Sequence, residues 1–486
     1  MPEPALLVRA AARLALCAAL ALAAPGSAVA SAALHPHGGW IKDAQGRVVI
    51  VHGLQVAHKT APYHPPPASF SDTDGALISS WGFNAVRLAW FWAGLEPARG
   101  HIDTSYLNEI VHEGQVLTSH HIYTLLEAHQ DIYGPALGGD GFPPWATLTD
   151  GVPILPHSAL DIEAPATDRA FDNLYANRDG IGDEFAHAWS VMASSFRSNP
   201  LMLGYDLFNE PYPGSQDPSC MQPAGCPAFD AVSLEPFETR LAAGVRQSDP
   251  GPMVFYEPHI YFDFGSGSWL TRPPSSAGPA AFAFHDYCLA PIFAGQPDHE
   301  SSAPGYQSCP YEDEHVMQNA ASTSTAMAAP SLLDEFGDTQ DLTNIQRMVQ
   351  LADSHMEGWL YWSYKDWIDA PGGAGSGALF DDSDNNATLR QAKLAVLSEP
   401  YPQATAGTPV SYGYDPPSDT FTFTYQPNPA IRAPTVVFVP ALHYPHGYRV
   451  AVTGARVVSA PGASRLELSA EAGASTVRVV VAPVAP

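Results

Sequence analysis

The chain has 486 residues, and its composition is that of an ordered globular protein, with 45% hydrophobic and 10% aromatic residues. A chain of this length can bury a large core without disulfide or metal support and holds one to three domains. Its formal charge of −28, from 22 basic and 50 acidic residues, excludes a protein that binds nucleic acid or an anionic membrane through a basic face.

The N-terminal segment has the features of a signal peptide. Arg9 and Arg13 precede an apolar stretch over residues 14–24, and Ala28-Val29-Ala30 is a small-x-small cleavage site. The alternative is a short membrane anchor, but the stretch is shorter than the roughly 20 residues that span a bilayer. We therefore expect cleavage near Ala30 and a mature protein that is secreted or periplasmic.

Eight short runs of apolar and β-branched residues recur between residues 48 and 364, and amphipathic stretches such as 183–198 and 342–356 separate several of them. This alternation predicts a parallel sheet, and eight such units fit a (β/α)8 TIM barrel. The alternative, a doubly wound open sheet, lacks a GxGxxG motif after the first strand. The predicted strands are Val48–Val56, Ala85–Trp90, Ile122–His129, Met202–Glu210, Met253–His259, Ala281–Tyr287, Leu332–Gly337 and Trp359–Tyr364.

From about residue 400 the sequence alternates apolar and polar residues without helical periodicity, as in 421–425, 435–439 and 475–479. Turn residues separate these runs, which predicts a small antiparallel β-sandwich after the barrel. The chain is thus divided into a signal peptide (1–30), a barrel domain (31–400) and a C-terminal β-sandwich domain (401–486).

The cysteine content agrees with export. Of the five cysteines, Cys17 lies in the predicted signal peptide, and the other four are expected to form disulfides. Local bridges Cys220–Cys226 and Cys288–Cys309 would each close a loop, but four cysteines allow three pairings and the sequence does not choose between them. A cysteine-bound zinc is disfavoured because no CxxC motif occurs.

Two glutamates carry the strongest chemical signal. Asn209 and Glu210 end the predicted fourth strand and Glu335 lies in the predicted seventh strand, so both carboxylates can face one sugar bond across the barrel mouth. Retaining glycosidases need two carboxyl groups about 5–5.5 Å apart, one as nucleophile and one as acid/base. Asn209 would hold the sugar 2-hydroxyl. The pair predicts a glycosidase rather than two ion-paired surface residues.

Several motifs together resemble glycoside hydrolase family 5 of clan A: residues 84–88, Asn209-Glu210-Pro211, His285-Asp286-Tyr287, Glu335-Phe336-Gly337 and Trp362. Further segments resemble the endoglycoceramidase branch of that family: Lys59 with Pro62-Tyr63, and residues 129–133, 141–146 and 206–211. The segments 406–409, 439–441 and 444–448 are similar to the C-terminal domain of that branch, so the resemblance covers nearly all of the mature chain.

The resemblance implies that Glu335 is the nucleophile and Glu210 the acid/base. Tyr287 and Arg87 are expected to hydrogen-bond to Glu335, and Trp362 to form a stacking surface for the sugar at the cleaved bond. The supporting residues around the pair are Arg87, His129, Asn209, His285 and Tyr287, with the two histidines orienting the glutamates.

Sugar selection is assigned to the ends of the first and third strands and the loops after them. Glu127 stands where the branch has aspartate, so the preferred head group stays open between glucose, galactose and longer glycans. The predicted substrate-binding residues are Lys59, Glu127, Gln130, Asp131, Trp145 and Trp362.

Neither a metal nor a cofactor is predicted. No HExxH motif occurs, and His129 and His285 lie beside glutamates that must act as free carboxylates. The acidic run 381–386 lacks the later glutamate of a calcium-binding loop and is typical of a solvated loop.

The predicted function is a secreted, monomeric retaining β-glycosidase that hydrolyses the bond between the glycan and the ceramide of glycosphingolipids, with transient contact to a lipid surface. Residues 153–156 with Phe171, or residues 260–262, are candidates for the ceramide groove. One alternative is another β-glucoside, such as a steryl glucoside or a β-glucan. The other is a non-enzymatic carbohydrate-binding protein, which the two intact glutamates disfavour.

Overall fold

The computed structural model describes residues 33–66, 69–154, 164–288, 301–367 and 377–484, all within one compact unit. The predicted signal peptide lies outside the described residues, and so do Leu155 and Pro156 of one candidate groove. Within those ranges, no helix has the length and apolar character needed to cross a membrane.

Eight parallel strands close into a barrel, which confirms the predicted TIM fold. They pair in chain order, and β8 pairs with β1 through Trp359 and His52 to complete the circle. The barrel strands are β1 (His52–Ala57), β2 (Ala85–Trp90), β3 (Tyr123–Ala128), β4 (Met202–Asp206), β5 (Met253–Tyr256), β6 (Ala280–His285), β7 (Ser331–Glu335) and β8 (Trp359–Asp366).

The helices surround the barrel, and the longer ones bury an apolar face. In α5, Phe185, Trp189, Met192 and Phe196 recur every three or four residues and are all buried. The helices of the described residues are α1 (Asp72–Ser80), α2 (Trp92–Leu95), α3 (Thr104–Ser119), α4 (Pro165–Tyr175), α5 (Ile181–Phe196), α6 (Asp217–Cys220), α7 (Pro227–Phe229), α8 (Glu235–Ser248), α9 (Cys309–Met327), α10 (Leu342–His355) and α11 (Gln391–Leu397).

The strand boundaries differ from the sequence prediction by up to four residues, and the differences are largest at the predicted first and fourth strands. The predicted first strand, Val48–Val56, is divided, because Val48–Val49 pairs with Ala404 and Thr405 while the barrel strand begins only at His52. Residues 48–57 are buried throughout, so hydrophobicity alone could not locate the break. At the predicted fourth strand, the sheet ends at Asp206, which leaves Asn209 and Glu210 in the loop beyond it.

The C-terminal residues form two antiparallel sheets, as the alternating pattern predicted. One sheet contains Gly407–Asp415, Thr420–Pro427, Val477–Pro483 and Tyr448–Thr453. The other contains Tyr401–Thr405, Thr435–Phe438, Arg465–Ala470 and Ala455–Val457, and it continues into three N-terminal strands, His35–His37, Trp40–Lys42 and Val48–Val49. The sequence prediction missed this N-terminal contribution because each of the three strands is at most three residues long.

The sheets pack against the amino-terminal end of the barrel, opposite the carboxyl ends of the strands. Tyr401 stacks on His52 at the start of β1 with ring centroids 3.8 Å apart, and its hydroxyl donates to the carbonyl of Gly82 at 2.7 Å. Tyr412 donates to Asp353 near the end of α10 at 3.0 Å. These contacts indicate that the C-terminal sheets close the base of the barrel.

Tyr401 is expected to be a major contributor to the stability of this junction. Tyr401→Ala should lower the free energy of unfolding by about 3–5 kcal/mol, because it opens a cavity between His52 and Phe438. Tyr401→Phe keeps the ring and should cost only about 1 kcal/mol for the hydrogen bond to Gly82. Urea unfolding of both variants measures the difference, and equal losses would contradict this packing.

The structure contains the disulfides Cys220–Cys226 and Cys288–Cys309, which is one of the three pairings that the sequence allows. The first closes part of the loop after β4. The second joins the segment after β6 to the first residue of α9. Both disulfides therefore fix loops that follow the carboxyl ends of barrel strands.

Candidate active site

The two predicted catalytic carboxylates face each other across the carboxyl ends of the strands. Glu335 is the last residue of β7, and Glu210 lies in the loop after β4. One carboxylate oxygen of each, together with a ring nitrogen of His285, lie within 4.8 Å of one another. This approach fits the spacing of about 5–5.5 Å in retaining glycosidases and not the wider spacing of inverting ones.

Glu335 is held by three donors. Its Oε1 accepts from the Tyr287 hydroxyl at 2.9 Å, and its Oε2 accepts from Arg87 at 3.0 Å and from Gln55 at 3.1 Å. Burial raises the pKa of this carboxyl, but nearby cationic side chains outweigh burial and leave the pKa below its ordinary value. The cations that lower it are His285, Arg87, His129 and Lys59. Glu335 is therefore favoured as a carboxylate.

Glu210 is held through both its side chain and its backbone. Its Oε1 lies 2.9 Å from Nδ1 of His285. Its backbone adopts a φ of 43°, in the left-handed region that non-glycine residues rarely occupy. Gln130 donates to the Glu210 carbonyl at 3.0 Å, and the Glu210 N–H donates to Glu257 at 2.8 Å. The neighbouring strands thus fix a conformation that an isolated loop would disfavour.

Arg87 is fully buried beneath the two glutamates. Its Nη2 donates to Asn209 Oδ1 at 3.0 Å, and the Asn209 side chain also donates to the carbonyl of Gln130 at 3.0 Å. Burial lowers the pKa of Arg87, but the surrounding carboxylates raise it well above its ordinary value. These carboxylates are Glu127, Asp206, Asp334 and Glu257. A single guanidinium thus links the residue before Glu210 to Glu335.

A second charged group lies beside Trp362. Lys59 Nζ lies 2.6 Å from Asp131 and 4.2 Å from the centroid of the Trp362 ring, on which the His129 ring stacks at 5.5 Å. Burial lowers the pKa of His129, but Glu127 and Asp131 raise it to about 10. Burial raises the pKa of Asp131, whereas Lys59 and His129 lower it below its usual range. This cluster offers charged groups that suit sugar hydroxyls.

Three of the predicted residues have positions that differ from their predicted roles. Glu127 is fully buried within β3, 2.9 Å from His129, instead of facing the barrel mouth. Gln130 is also fully buried, and its amide bonds to the backbone of Asn209, Glu210 and Tyr133. His129 contacts Glu127, Asp131 and Trp362 rather than either predicted catalytic glutamate. All three side chains support neighbouring groups.

Trp145 is half-buried against the segment after β2. Its indole N–H donates to the carbonyl of Glu96 at 2.8 Å, and its ring packs edge-on against Trp92 at 5.0 Å. Arg99 lies 5.7 Å from the same ring. These contacts place Trp145 beside the α2 segment, and its role in sugar binding stays a prediction.

Phe171 and residues 260–262 of the candidate grooves are buried in the packing around the loops. Phe171 is fully buried between Tyr133 and Tyr212, each 5.0 Å away by ring centroid. Phe262 is buried as well, and it packs edge-on against Phe282. Pro153 and Ile154 are exposed, Ile154 at 51%. The long loops bury their own apolar residues, which a sequence pattern does not distinguish from a ligand groove.

Sequence reasoning assigned no role to several buried polar residues of this site. Gln55 in β1 contacts both Arg87 and Glu335, and Glu257 contacts both Arg87 and the backbone of Glu210. Asp206 and Asp334 lie 2.8 and 3.1 Å from the Arg87 guanidinium. A signal was present, since ionisable residues in otherwise apolar strands are rarely buried without a partner.

Four groups among the described residues have the composition and spacing of metal ligands. One contains the disulfide-bonded Cys220 and Cys226, and another contains Asp131, which is paired with Lys59. The remaining two share His285, in one case with Glu210 and Glu335 and in the other with Glu257 and Asp334. The Arg87 guanidinium lies against Glu335, Glu257 and Asp334, so a fixed positive charge already contacts carboxylates of both groups.

Comparison with known proteins gives matches along nearly the whole chain. Residues 43–367 match the family described as Cellulase (glycosyl hydrolase family 5), and residues 400–481 match the glycoside hydrolase family 5 C-terminal domain. The chain is similar to endoglycoceramidase I of Rhodococcus hoagii, with 32% identity over 92% of this chain and 88% of that protein.

The chain is also similar to solved structures of endoglycoceramidases. Endo-glycoceramidase II from Rhodococcus sp. in complex with ganglioside GM3 is similar with a TM-score of 0.77 and 28% identity, over 92% of this chain and 100% of that chain. The structure of the same enzyme described as a lactosyl-enzyme intermediate is similar with a TM-score of 0.74, 28% identity and the same coverage.

Proposed function

The chain belongs to glycoside hydrolase family 5, and from that premise we propose that it hydrolyses the bond between the glycan and the ceramide of glycosphingolipids with retention of configuration. The observation that carries the proposal is the approach of the Glu210 and Glu335 carboxylates to within 4.8 Å. Similarity to endoglycoceramidases over most of the chain supports the substrate class.

In the first step, an oxygen of Glu335 bonds to the anomeric carbon as the bond from that carbon to the ceramide oxygen breaks. Glu210 gives its proton to the departing oxygen, so ceramide leaves as a neutral alcohol. Tyr287 and Arg87 orient the Glu335 carboxylate for attack. The glycosyl-enzyme ester that results is supported by the related enzyme whose structure is described as a lactosyl-enzyme intermediate.

In the second step, the Glu210 carboxylate takes a proton from water, and the water oxygen bonds to the anomeric carbon. The ester bond to Glu335 breaks, which frees the glycan and regenerates both carboxyl groups in their starting states. His285, 2.9 Å from Glu210, keeps that side chain aimed at the same atom in both steps. Two inversions at one carbon give overall retention.

The sugar at the cleaved bond is proposed to stack on Trp362, with its hydroxyls bound by Lys59 and Asp131. Charged groups form strong hydrogen bonds to hydroxyls, and an aromatic face suits the C–H face of a pyranose. Lys59 and His129 already lie against Trp362, so the aromatic and charged surfaces adjoin each other.

The test is to incubate the purified protein with glucosylceramide, lactosylceramide, galactosylceramide and a ganglioside, and to analyse products by mass spectrometry. Ceramide together with an intact di- or oligosaccharide is the expected result, with Glu335→Gln as the blank. Ceramide from the monosaccharide lipids alone would restrict the proposal to single-sugar head groups. Activity only on steryl glucosides or β-glucans would overturn the lipid substrate and favour the alternative.

The lowered pKa of Glu335 predicts activity at low pH. Because the nucleophile must be ionised, the acid limb of kcat/KM should have its midpoint below 4.5, the ordinary value for a glutamate. Lys59→Met removes one of the charges that lower this pKa, so the midpoint should move upward. Tryptophan fluorescence over the same range must show a folded protein, and a midpoint above 4.5 in folded wild type would contradict the prediction.

Transient contact with a lipid surface is proposed through loops on the catalytic face. Val232 and Trp269 are 76% and 55% exposed, and they follow β4 and β5. The two loops are joined, since Trp269 donates through its backbone to Asp230 at 2.6 Å and through its indole to Ala224 at 2.7 Å. Exposed tryptophan and aliphatic side chains suit the interface of a membrane.

Replacing both residues, as Val232→Ser with Trp269→Ala, should weaken binding to neutral phosphatidylcholine vesicles at least about tenfold, because apolar burial on this scale contributes a few kcal/mol. Vesicle co-sedimentation measures the binding. The matched control is Val458→Ser with Leu442→Ala, two exposed apolar residues in the connections between C-terminal strands. Equal binding by the two double variants would place the lipid contact elsewhere.

Export from the cytoplasm is proposed on two grounds. The disulfides Cys220–Cys226 and Cys288–Cys309 suit an oxidising compartment. The N-terminal residues have the sequence features of a cleaved leader. N-terminal sequencing of protein recovered outside the cytoplasm should give a start near Ser31.

A further inference from the structure

Glu257 has no place in the two-step mechanism, yet it is held against both halves of the site. It follows β5 directly and is 2% exposed. Its Oε1 accepts from Arg87 Nη2 at 2.7 Å, and its Oε2 accepts from the backbone N–H of Glu210 at 2.8 Å. One buried carboxyl group therefore bonds to the backbone of the acid/base residue and to the cation that binds the nucleophile.

The Glu210 backbone depends on an external acceptor at this point. Strand β4 ends at Asp206, so the Glu210 N–H lies beyond the ladder of the sheet, and Glu210 itself adopts a φ of 43°. A left-handed non-glycine residue costs on the order of 1 kcal/mol and persists only where its surroundings hold it. Glu257 accepts the N–H and Gln130 donates to the carbonyl of the same residue.

The other carboxyl oxygen of Glu257 is connected to Glu335 through Arg87. Arg87 contacts Glu257 through Nη2 and Glu335 through Nη1, at 2.7 and 3.0 Å. His285 lies between the two carboxyl groups, with Nδ1 2.9 Å from Glu210 and Nε2 3.7 Å from Glu257 Oε1, a distance too long for a hydrogen bond. Without Glu257, Arg87 would still be held by Asp206, Asn209 and Gln55, so a displacement of Glu257 should act mainly on Glu210.

We propose that Glu257 is a positioning residue that fixes the Glu210 carboxyl for proton transfer to the leaving group. The proposal rests on the proposed function, because it needs Glu210 to be the acid/base. It requires both carboxyl oxygens as acceptors. A glutamine side chain has one acceptor, so it satisfies either Arg87 or the Glu210 N–H and places an N–H donor against the other.

The test measures how the rate depends on the leaving group. For Glu257→Gln we expect kcat on aryl β-glycosides with poorly acidic phenols to fall about 100-fold, because a misplacement of about 1 Å can cost that much. On dinitrophenyl glycosides, which leave without proton donation, we expect the rate of the first step to fall less than about threefold. KM should change less than kcat. A merely structural role would lower both substrate classes equally.

The matched control is Glu113→Gln in α3, which alters another buried carboxyl group away from the site. This variant should keep the wild-type rates. Its loss of thermal stability measures what replacing a buried carboxyl group by a carboxamide costs by itself. If Glu257→Gln does not fold, Glu257→Asp, which keeps two acceptors but shortens their reach by one methylene group, should show the same selective loss on poor leaving groups.

Equal losses on all leaving groups, or no loss, would overturn the role of Glu257. This outcome differs from the one expected if glycosphingolipids are not the substrates. Wild-type cleavage of aryl glycosides without release of ceramide would reject glycosphingolipids and leave the leaving-group comparison valid. Wild type that cleaves no glycoside would reject both proposals.

Discussion

Glu335→Gln is expected to lower kcat at least about 10⁴-fold on both glycolipid and aryl glycoside, because a neutral carboxamide does not form the glycosyl ester. The loss should not depend on the leaving group, since the attacking atom itself is changed. Wild type treated with an activated 2-deoxy-2-fluoro glycoside should accumulate the ester, and peptide mass spectrometry should find the added sugar on Glu335.

Glu357→Gln is the control for the Glu335 experiment. Glu357 is half-buried at the opposite end of the barrel, where its carboxyl group accepts from Ser331 at the start of β7 at 2.8 Å. It should retain wild-type activity. Retention of more than about one hundredth of wild-type activity by Glu335→Gln, or a labelled peptide that lacks Glu335, would reject it as the nucleophile.

Glu210→Gln is expected to show the second-largest effect, and that effect should depend on the substrate. On glycolipids the rate should fall about 10³-fold, because the ceramide alkoxide is a poor leaving group without proton donation. The first step on a dinitrophenyl glycoside should be nearly unchanged. Hydrolysis of its ester should be slow, since no base activates water, and stopped-flow absorbance should show a burst of phenol followed by slow turnover.

Added azide provides the decisive measurement for Glu210. Azide attacks the ester without base assistance, so it should restore turnover of Glu210→Gln and give a β-glycosyl azide that NMR identifies. Wild type should not respond. The same loss on all leaving groups, without an azide effect, would show that Glu210 is not the acid/base and would also remove the basis for the role of Glu257.

Local sequence patterns were sufficient for the barrel and for the predicted pair of glutamates. Alternation of strands and helices follows from periodicity, and Glu210 and Glu335 stand next to the ends of strands that periodicity locates. In a parallel barrel all carboxyl ends meet at one face, so residues 125 positions apart could be placed together without coordinates. The strand count and the site location follow from the same rule.

The sequence did not predict how deeply each side chain of the site is buried. Glu127 and Gln130 were predicted to bind sugar, yet Glu127 lies within β3, which ends one residue later, and Gln130 turns towards the loop after β4. A shift of one or two residues in a strand end decides whether a side chain faces the substrate or the barrel interior. Strand ends are set by pairing with neighbours, which periodicity does not contain.

The sequence by itself determined the fold class, the C-terminal sheets and the residues proposed for the chemistry, because each follows from a local pattern or a short motif. Only the tertiary structure decided that residues 35–49 complete a C-terminal sheet, and that Gln55 and Glu257 hold the site together around Arg87. These contacts join segments far apart in the chain, and their free energy comes from burial and pairing that exist only after the barrel has closed.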